Sequence, residues 1–249
     1  MESPAFAPAG KFQLYGGAVS CSASSPTITH CKITNNTCAR AGAVFCYESS
    51  AVIRNTVIAN NACIGGEAQS GGICAYWDSA IRIEGCTIVN NAPGGLFSES
   101  EYGTEVIDTI VWGNRNYQIQ SYGSEVVASF CDVQGGYDGR ENIDAYPCFF
   151  EPTVGAGAEY DATVANWALQ LNSPCINGGS EAASETTDLA GNGRVHSGRV
   201  DIGAYENQLD LPLIGIGPAD RVDFGCVAVD TSEATTLRIS NTGQLSFQI

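Results

Sequence analysis

The chain of 249 residues has few positive charges. Only 11 lysine and arginine residues accompany 27 aspartate and glutamate residues, which gives a formal net charge of −16 at pH 7. A surface this acidic repels phosphate backbones and anionic lipid headgroups, so nucleic acid and a bare membrane surface are not expected partners. The carboxylates have two remaining uses, which are solubility and the binding of divalent cations such as calcium.

Long apolar segments and chemical motifs are also scarce. The longest weakly polar run, residues 209–219, contains an aspartate and two prolines and is too short to span a bilayer. Residues 1–10 lack the basic and apolar regions of a secretory signal, and we interpret both ends as cuts through a longer protein. The 11 cysteines include no Cys-x-x-Cys pair, so the sequence predicts no zinc site. We expect no cofactor, with calcium as the one ion that the acids could bind.

The chain does contain an internal repeat. A six-residue pattern with an apolar third position starts at Cys31, Thr56, Cys86, Thr109 and Cys131, at spacings of 25, 30, 23 and 22 residues. A glycine-rich pattern precedes the first four copies in phase. Each repeat holds three brief β-branched runs separated by turn residues, and it is too short and too glycine-rich for paired helices. The repeat therefore predicts an all-β solenoid, a parallel β-helix with one coil per repeat.

Alternation within each run sends every second side chain inward, so inward residues of successive coils should stack in columns. The predicted columns are Val19, Val44, Ile73 and Leu96 in the first strand, Ile28, Ile53, Ile83 and Val106 in the second, and Ile33, Ile58, Ile88, Val111 and Val133 in the third. Asparagine follows the third strand at Asn36, Asn61, Asn91 and Asn114. Asparagine tolerates the left-handed conformation of a sharp corner and can bond to its copy one coil away, so we assign this column a structural role.

These patterns over residues 14–136 resemble those of right-handed parallel β-helix repeat proteins, the pectate-lyase-like superfamily in its broad sense. The resemblance implies a right-handed solenoid, and we place the coils in residues 1–141. Known members include polysaccharide lyases, glycoside hydrolases, adhesins and autotransporter passengers, so the resemblance implies a fold and leaves the activity open.

A second resemblance covers residues 142–206. The stretches 142–149, 169–179, 188–194 and 201–206 look like the choice-of-anchor Q region, which closes the β-helices of bacterial surface proteins. This implies a capping region over residues 142–208. Tyr146 and Asn177 stand where that region usually has aspartate, which puts an ion-binding role in doubt. The charged residues of this region are interpreted as ion pairs and turn hydrogen bonds, with an ion or partner site as the alternative. They are Asp188, Arg194, Asp201 and Glu206.

A third resemblance begins near Leu211. Residues 222–225 and 237–243 look like the first strands of an immunoglobulin-like module of the abnormal-spindle and hydin type. Residues 209–249 are too few for a complete sandwich, so we expect a partial module.

Two groups of side chains are candidates for chemistry. Cys38 and Cys63 share a corner column on adjacent coils, which allows a disulfide, whereas Cys21, Cys31, Cys46 and Cys86 are interpreted as buried thiols. Outward aromatic residues with nearby acids form either a carbohydrate-binding groove or an ordinary β-surface with solvated acids. These candidates are Phe45, Tyr47, Glu48, Tyr76, Trp77, Asp78, Phe97, Glu99 and Glu101.

Three functions fit this sequence. The first is a non-catalytic module outside the cell or on its surface, which displays or binds carbohydrate or another cell. The second is a polysaccharide lyase or glycoside hydrolase, and the third is a passive stalk. A lyase needs a cation beside its acids, and the five basic residues that precede Arg115 share no column with the acid cluster. No catalytic residue can be assigned, and we expect no turnover of polyuronates.

Overall fold

The computed structural model describes residues 16–65 and 69–208 with their side chains, and 214–217 and 238–241 as backbone. In these residues the chain forms 21 strands, numbered β1 to β21 along the sequence, and no helix. It divides into two units, Met1–Asn207 and Gln208–Ile249, which are described separately.

Three parallel sheets of five strands build the first unit. The first sheet contains β1 (Val19–Ser22), β5 (Val44–Tyr47), β9 (Ile73–Tyr76), β12 (Gly94–Ser100) and β15 (Tyr117–Gly123). The second contains β2 (Thr27–Thr29), β6 (Val52–Arg54), β10 (Ile81–Glu84), β13 (Thr104–Ile107) and β16 (Val126–Ser129). The third contains β3 (Lys32–Thr34), β7 (Val57–Ala59), β11 (Thr87–Val89), β14 (Ile110–Trp112) and β17 (Asp132–Val133). The chain visits the three sheets in turn and completes five coils, so the predicted right-handed β-helix is confirmed.

The strand register agrees with the predicted inward columns. Val19, Val44, Ile73 and Leu96 are paired one above the other, and Ile119 continues their column. The columns of the second and third sheets are paired in the same way and form one apolar core. A single coil cannot bury its inner face alone, so the stack is the folding unit.

Cysteine and threonine alternate from coil to coil at the residue before the third strand. Both side chains can donate a hydrogen bond to the backbone carbonyl two residues earlier. The Thr56 and Thr109 hydroxyls each donate to the carbonyl two residues earlier, at 2.7 Å. The thiols of Cys31, Cys86 and Cys131 donate to the equivalent carbonyls at 3.1–3.4 Å. Cys86 and Cys131 therefore act as small buried side chains with one weak donor each, whereas Cys31, expected to be buried, is only half-buried on the first coil.

The asparagine column forms a continuous hydrogen-bond ladder. The Asn61 Nδ2 atom donates to Asn91 Oδ1 at 3.0 Å, and Asn91 Nδ2 donates to Asn114 Oδ1 at 3.0 Å. Asn36 Nδ2 donates to Asn61 Oδ1 at 2.9 Å, and Gln118 ends the ladder by accepting from Asn114. Each interior amide also binds a backbone carbonyl, so the ladder ties neighbouring coils together at the corner.

The left-handed corner residue is the one before each ladder asparagine, which corrects the assignment made from the sequence. Positive φ angles occur at Asn35, Asn60, Asn90 and Gly113. The ladder residue itself must point its amide inward to reach the next coil. The first asparagine of each Asn-Asn pair therefore makes the corner, and the second makes the ladder.

Residues 142–206 do not form only a cap over the end of the stack. Ile143 pairs with the last coil at Asp132, but residues 145–206, here called the fold-back segment, return along the outer face of the third sheet. The segment contains β18 (Phe149–Glu151) and β19 (Asn166–Leu169), which pair in antiparallel fashion. Its apolar side chains cover Val57, Val89 and Ile110, the outward residues of the third sheet.

The physical reason for this arrangement lies in third strands such as β7 and β14, which are apolar on both faces. A strand buried on both sides shows a continuous apolar run instead of alternation, as in Val57–Ala59 and Ile110–Trp112. The left-handed asparagines hold the segment in place. Asn35 Nδ2 donates to Tyr160 O at 2.7 Å, and Asn60 Nδ2 donates to Gly155 O at 2.8 Å.

In the second unit the described residues form one antiparallel pair, β20 (Ile214–Gly217) with β21 (Arg238–Asn241). Most of the predicted immunoglobulin-like module, including residues 222–225, lies outside the described residues. That module and the choice-of-anchor Q region stay predictions.

Asp132 gives the fold-back contact a dependence on pH. Its buried carboxylate accepts the Cys175 thiol and the Ala145 N–H, both at 3.1 Å, and burial raises its pKa to about 6. A raised folded-state pKa contributes stability below pH 4 that is lost as the pH rises through 6. The free energy of unfolding of the native chain should therefore fall by about 2 kcal/mol more than that of Asp132→Asn when the pH is raised from 4 to 7. Urea unfolding of both chains at the two pH values measures this difference. Exposed Asp138 serves as the control, and an Asp138→Asn variant that shows the same difference would contradict the assignment.

Candidate functional site

The outer face of the first sheet carries two columns of side chains that alternate with the core. Phe45, Cys74, Phe97 and Gln120 are paired in one column. Tyr47, Tyr76, Glu99 and Tyr122 are paired in the other, one on each successive coil. The structure therefore brings together five of the residues predicted from the sequence, Phe45, Tyr47, Tyr76, Phe97 and Glu99.

The first of these columns forms the floor of the face. Phe45 is 7% exposed and Phe97 is 5% exposed, and both pack with Ala41 and the ring of Tyr117. The Tyr117 hydroxyl donates to Gln69 O, which holds the chain over this face. A Cβ atom on Gly94 would lie 2.2 Å from the Tyr117 ring, which explains a glycine at this point of the repeat. Phe45 therefore supports the face from beneath, and Phe97 reaches its surface only in part.

A groove of about 450 Å³ opens over the last two coils of this face. Three aromatic rings and three amide side chains dominate its walls, and among the described residues it has one carboxylate and no cation. Its lining residues are Gln69, Pro93, Phe97, Glu99, Asn116, Tyr117, Gln120 and Tyr122. Tyr122 is 55% exposed, and its ring centroid lies 5.7 Å from that of Phe97.

Two further tyrosines of this face, Tyr76 on the third coil and Tyr47 on the second, do not line the groove, and their hydroxyls remain protonated in ordinary conditions. Burial and the nearby charge of Glu99 raise the pKa of Tyr76. Burial, a hydrogen bond with Glu48 and the charges of Glu48 and Asp78 raise the pKa of Tyr47. Protonated hydroxyls can both donate and accept hydrogen bonds, so this part of the face is polar and adds no charge of its own from tyrosine.

The remaining predicted residues lie at the corner that follows the first sheet. Glu48 and Trp77 have positive φ angles of 48° and 56°, and Trp77 is 40% exposed. Asp78 and Glu101 are exposed, and none of these four lines the groove. They form a separate acidic corner with one indole.

Most of the groove wall was missed from the sequence. Tyr117, Gln120 and Tyr122 belong to the first strand of the fifth coil, which lacks the Gly-Gly pattern that marked the earlier coils. The repeat spacing could have identified this strand, because Ile119 follows Leu96 by one repeat of 23 residues. The residues on either side of Ile119 then fall on the outer face of the sheet.

The charged residues of the fold-back segment form a buried network. Arg194 Nη1 donates to Glu206 Oε2 at 3.1 Å, and Arg194 Nη2 donates to the carbonyls of Asp201 and Gly203. Asp188 accepts the Glu206 N–H at 2.8 Å. Burial and the charge of Asp201 raise the pKa of Glu206 to about 8. All four predicted residues are brought together here, away from the groove.

Cys38 and Cys63 are paired directly between β4 (Thr37–Cys38) and β8 (Ala62–Cys63), and both are buried free thiols. In the described part of the chain, no cluster of three or more His, Cys, Asp or Glu side chains is arranged to hold a metal ion. The described residues also contain no helix with the length and apolarity needed to cross a membrane.

A comparison with known protein families matches the first half of the chain. The family model described as "Right handed beta helix region" matches residues 11–135, which is half of the chain. No curated protein and no solved structure matches it. The matched residues that the structure describes form the coils given above, and the chain belongs to the right-handed β-helix family.

Proposed function

We propose that the chain is a non-catalytic carbohydrate-binding β-helix, and that the groove on the first sheet takes a neutral glycan. The groove carries the proposal because it combines Phe97, Tyr117 and Tyr122 with three amide side chains. Aromatic faces pack against the apolar face of a sugar ring, while amides donate to and accept from its hydroxyls. We place such a protein outside the cell or on its surface, where glycan chains are found.

The charge of the groove favours a neutral ligand. Among the residues that the structure describes, Glu99 is its one carboxylate, and no lysine or arginine lines it. A polyuronate carries a negative charge on every sugar, so it would be repelled by Glu99 and by a chain of net charge −16. Calcium is no part of this proposal, because a neutral sugar needs no bridging cation.

The polysaccharide-cleaving alternative has less support. Glycoside hydrolysis by the common mechanisms uses two carboxylates that flank the scissile bond. Among the described residues Glu99 is the one acid of the groove wall, while Glu48, Asp78 and Glu101 do not line it. Family membership is compatible with either function, so the distinction rests on this lining.

A glycan array with the intact chain tests the proposal. We expect binding to neutral oligosaccharides and none to polyuronates. Tyr122→Ala should weaken binding by about tenfold, since one aromatic contact contributes about 0.5–1.5 kcal/mol. Val127→Ala is the control, because Val127 is 60% exposed on the second sheet, away from the groove. Binding that survives Tyr122→Ala unchanged, or a preference for uronates, would contradict the groove assignment.

The enzyme alternative has its own assay, which measures the absorbance of unsaturated uronate products with calcium added. We expect no product. Product that forms with the native chain and disappears in Asp78→Ala or Glu99→Gln would support a lyase instead.

A further inference from the structure

The last coil of the β-helix protects the free edges of two of its three strands. On the third sheet, Val133 N donates to Ile143 O at 3.0 Å, and Ile143 N donates to Cys131 O at 2.8 Å. The edge of β17 is therefore closed by the chain that follows it.

The edge of β16 on the second sheet is closed by side chains. The Tyr137 hydroxyl donates to Val126 O at 3.3 Å, and Asn142 Nδ2 donates to Ala128 O at 3.2 Å. Phe130 N, just beyond the strand, donates to Arg140 O at 2.8 Å. This edge cannot accept another strand without losing those bonds.

The edge of β15 on the first sheet is different. Ser124 N donates to Ser100 O on the preceding coil at 2.8 Å, and backbone groups alternate in direction along a parallel strand. The N–H and C=O groups of Ile119, Ser121 and Gly123 therefore point away from the stack. In the described part of the chain these backbone groups have no hydrogen-bond partner.

An acidic groove continues from this edge. It has a volume of about 660 Å³ and contains the side chains of Glu125, Asp138 and Asp144 around Tyr137. Burial and the charges of Glu125 and Asp138 raise the pKa of Tyr137, whose hydroxyl also lies beside the Ser121 side chain. Glu125 is the second residue after β15, and Tyr137 lies beside Ser121 of that strand, so the acids lie next to the open edge.

We propose that the outer edge of β15 docks an extended, basic segment of a partner protein, which adds to the first sheet as a further parallel or antiparallel strand. The open N–H and C=O groups would supply the main-chain hydrogen bonds of strand addition. The half-buried Ile119 would receive an apolar side chain of the new strand, and the three acids would pair with its lysine or arginine residues.

Charge selects this partner over a second copy of the chain. Two copies of net charge −16 repel each other, whereas a basic segment is attracted. The proposal is independent of the glycan groove, because it uses the edge of the sheet and the end of the stack instead of the sheet face.

The test measures fluorescence anisotropy of a labelled peptide of about seven residues that alternates lysine and valine, an ordinary strand length. Two further peptides carry N-methyl groups, one on the odd-numbered residues and the other on the even-numbered residues. Because N–H groups of alternate residues point to opposite sides of an extended strand, each peptide has lost the donors of one side and keeps the charge of the parent. We expect one of the two methylated peptides to lose at least about tenfold in affinity and the other to bind as the parent does. Equal binding by both would show a purely electrostatic contact and overturn the proposal, as would no binding by the parent.

Protein variants provide a second measurement. Ser121→Pro removes the outward N–H at a position where an edge strand tolerates proline, and it should weaken peptide binding by about tenfold. Ser121→Ala keeps the N–H and should bind as the native chain does. Loss in both variants, or binding of a glutamate–valine peptide as tight as that of the lysine peptide, would contradict strand addition by a basic segment. If Ser121→Pro fails to fold, the methylated peptides still decide the question.

Discussion

Replacement of Arg194 by alanine is expected to lower the free energy of unfolding at pH 9, above the pKa of about 8 that Glu206 has in the fold, by about 3–5 kcal/mol, the range for removing one partner of a buried ion pair. The Arg194 and Glu206 side chains are 3% and 0% exposed. Without the guanidinium, the Glu206 carboxylate and the carbonyls of Asp201 and Gly203 lose their shared donor. Urea unfolding followed by tryptophan fluorescence measures the loss, since Trp167 packs in the fold-back segment.

The control for this variant is Arg140→Ala. The Arg140 side chain is 75% exposed and its ion pair with Glu141 lies on the surface, so the change should cost less than about 1 kcal/mol. The deficit of Arg194→Ala should also shrink as the pH falls from 9 through 8, because Glu206, whose pKa is raised to about 8 by burial and by Asp201, then takes up a proton. A deficit below 1 kcal/mol, or one that grows in acid, would contradict the role assigned to Arg194.

Asn91→Ala is expected to cost about 3–5 kcal/mol, because it removes an interior rung of the asparagine ladder. The Asn91 amide donates to Ile58 O and Asn114 Oδ1 and accepts from the main chain and side chain of Asn61, all at 2.9–3.0 Å. Alanine leaves several buried polar groups without partners, at about 1–3 kcal/mol each. Thermal or urea unfolding measures the change.

Asn36→Ala provides a matched control within the same ladder. Asn36 is the terminal rung and is partly exposed, and its side chain donates to Thr34 O and Asn61 Oδ1 but, among the described residues, to no third acceptor. Its replacement should cost about 1 kcal/mol. If the two variants lose the same stability, the ladder does not act through the buried partners described above.

The coils could be read from the sequence because the repeat fixes the register. A spacing of 25 residues places Ile33 under Ile58, and the same apolar position recurs in every copy. The members of each inward column could therefore be assigned from the repeat spacing alone, because they stack directly on one another in successive coils. The structure adds that the second asparagine of each pair forms the ladder while the first adopts the left-handed corner.

The path of residues 145–206 could not be read in the same way, because this segment has no repeat. Its position depends on contacts between residues far apart in the sequence, such as Asn35 with Tyr160 and Asp108 with Ser180. One feature of the sequence did predict that some segment packs there, because the outward residues Val57 and Ile110 are apolar and would otherwise be exposed to water. The groove was only partly predicted for a similar reason, because Gln69 reaches it from an insertion between coils and Tyr122 belongs to the atypical last coil.

The central claim is that the groove on the first sheet holds a neutral glycan and leaves it intact. Native mass spectrometry of the chain, after incubation with a neutral oligosaccharide selected on the array, tests both parts at once. We expect a one-to-one complex with the unchanged mass of the sugar, which disappears in Tyr122→Ala and persists in Val127→Ala. The absence of a complex, a complex that survives Tyr122→Ala, or the release of shortened sugars would contradict the claim.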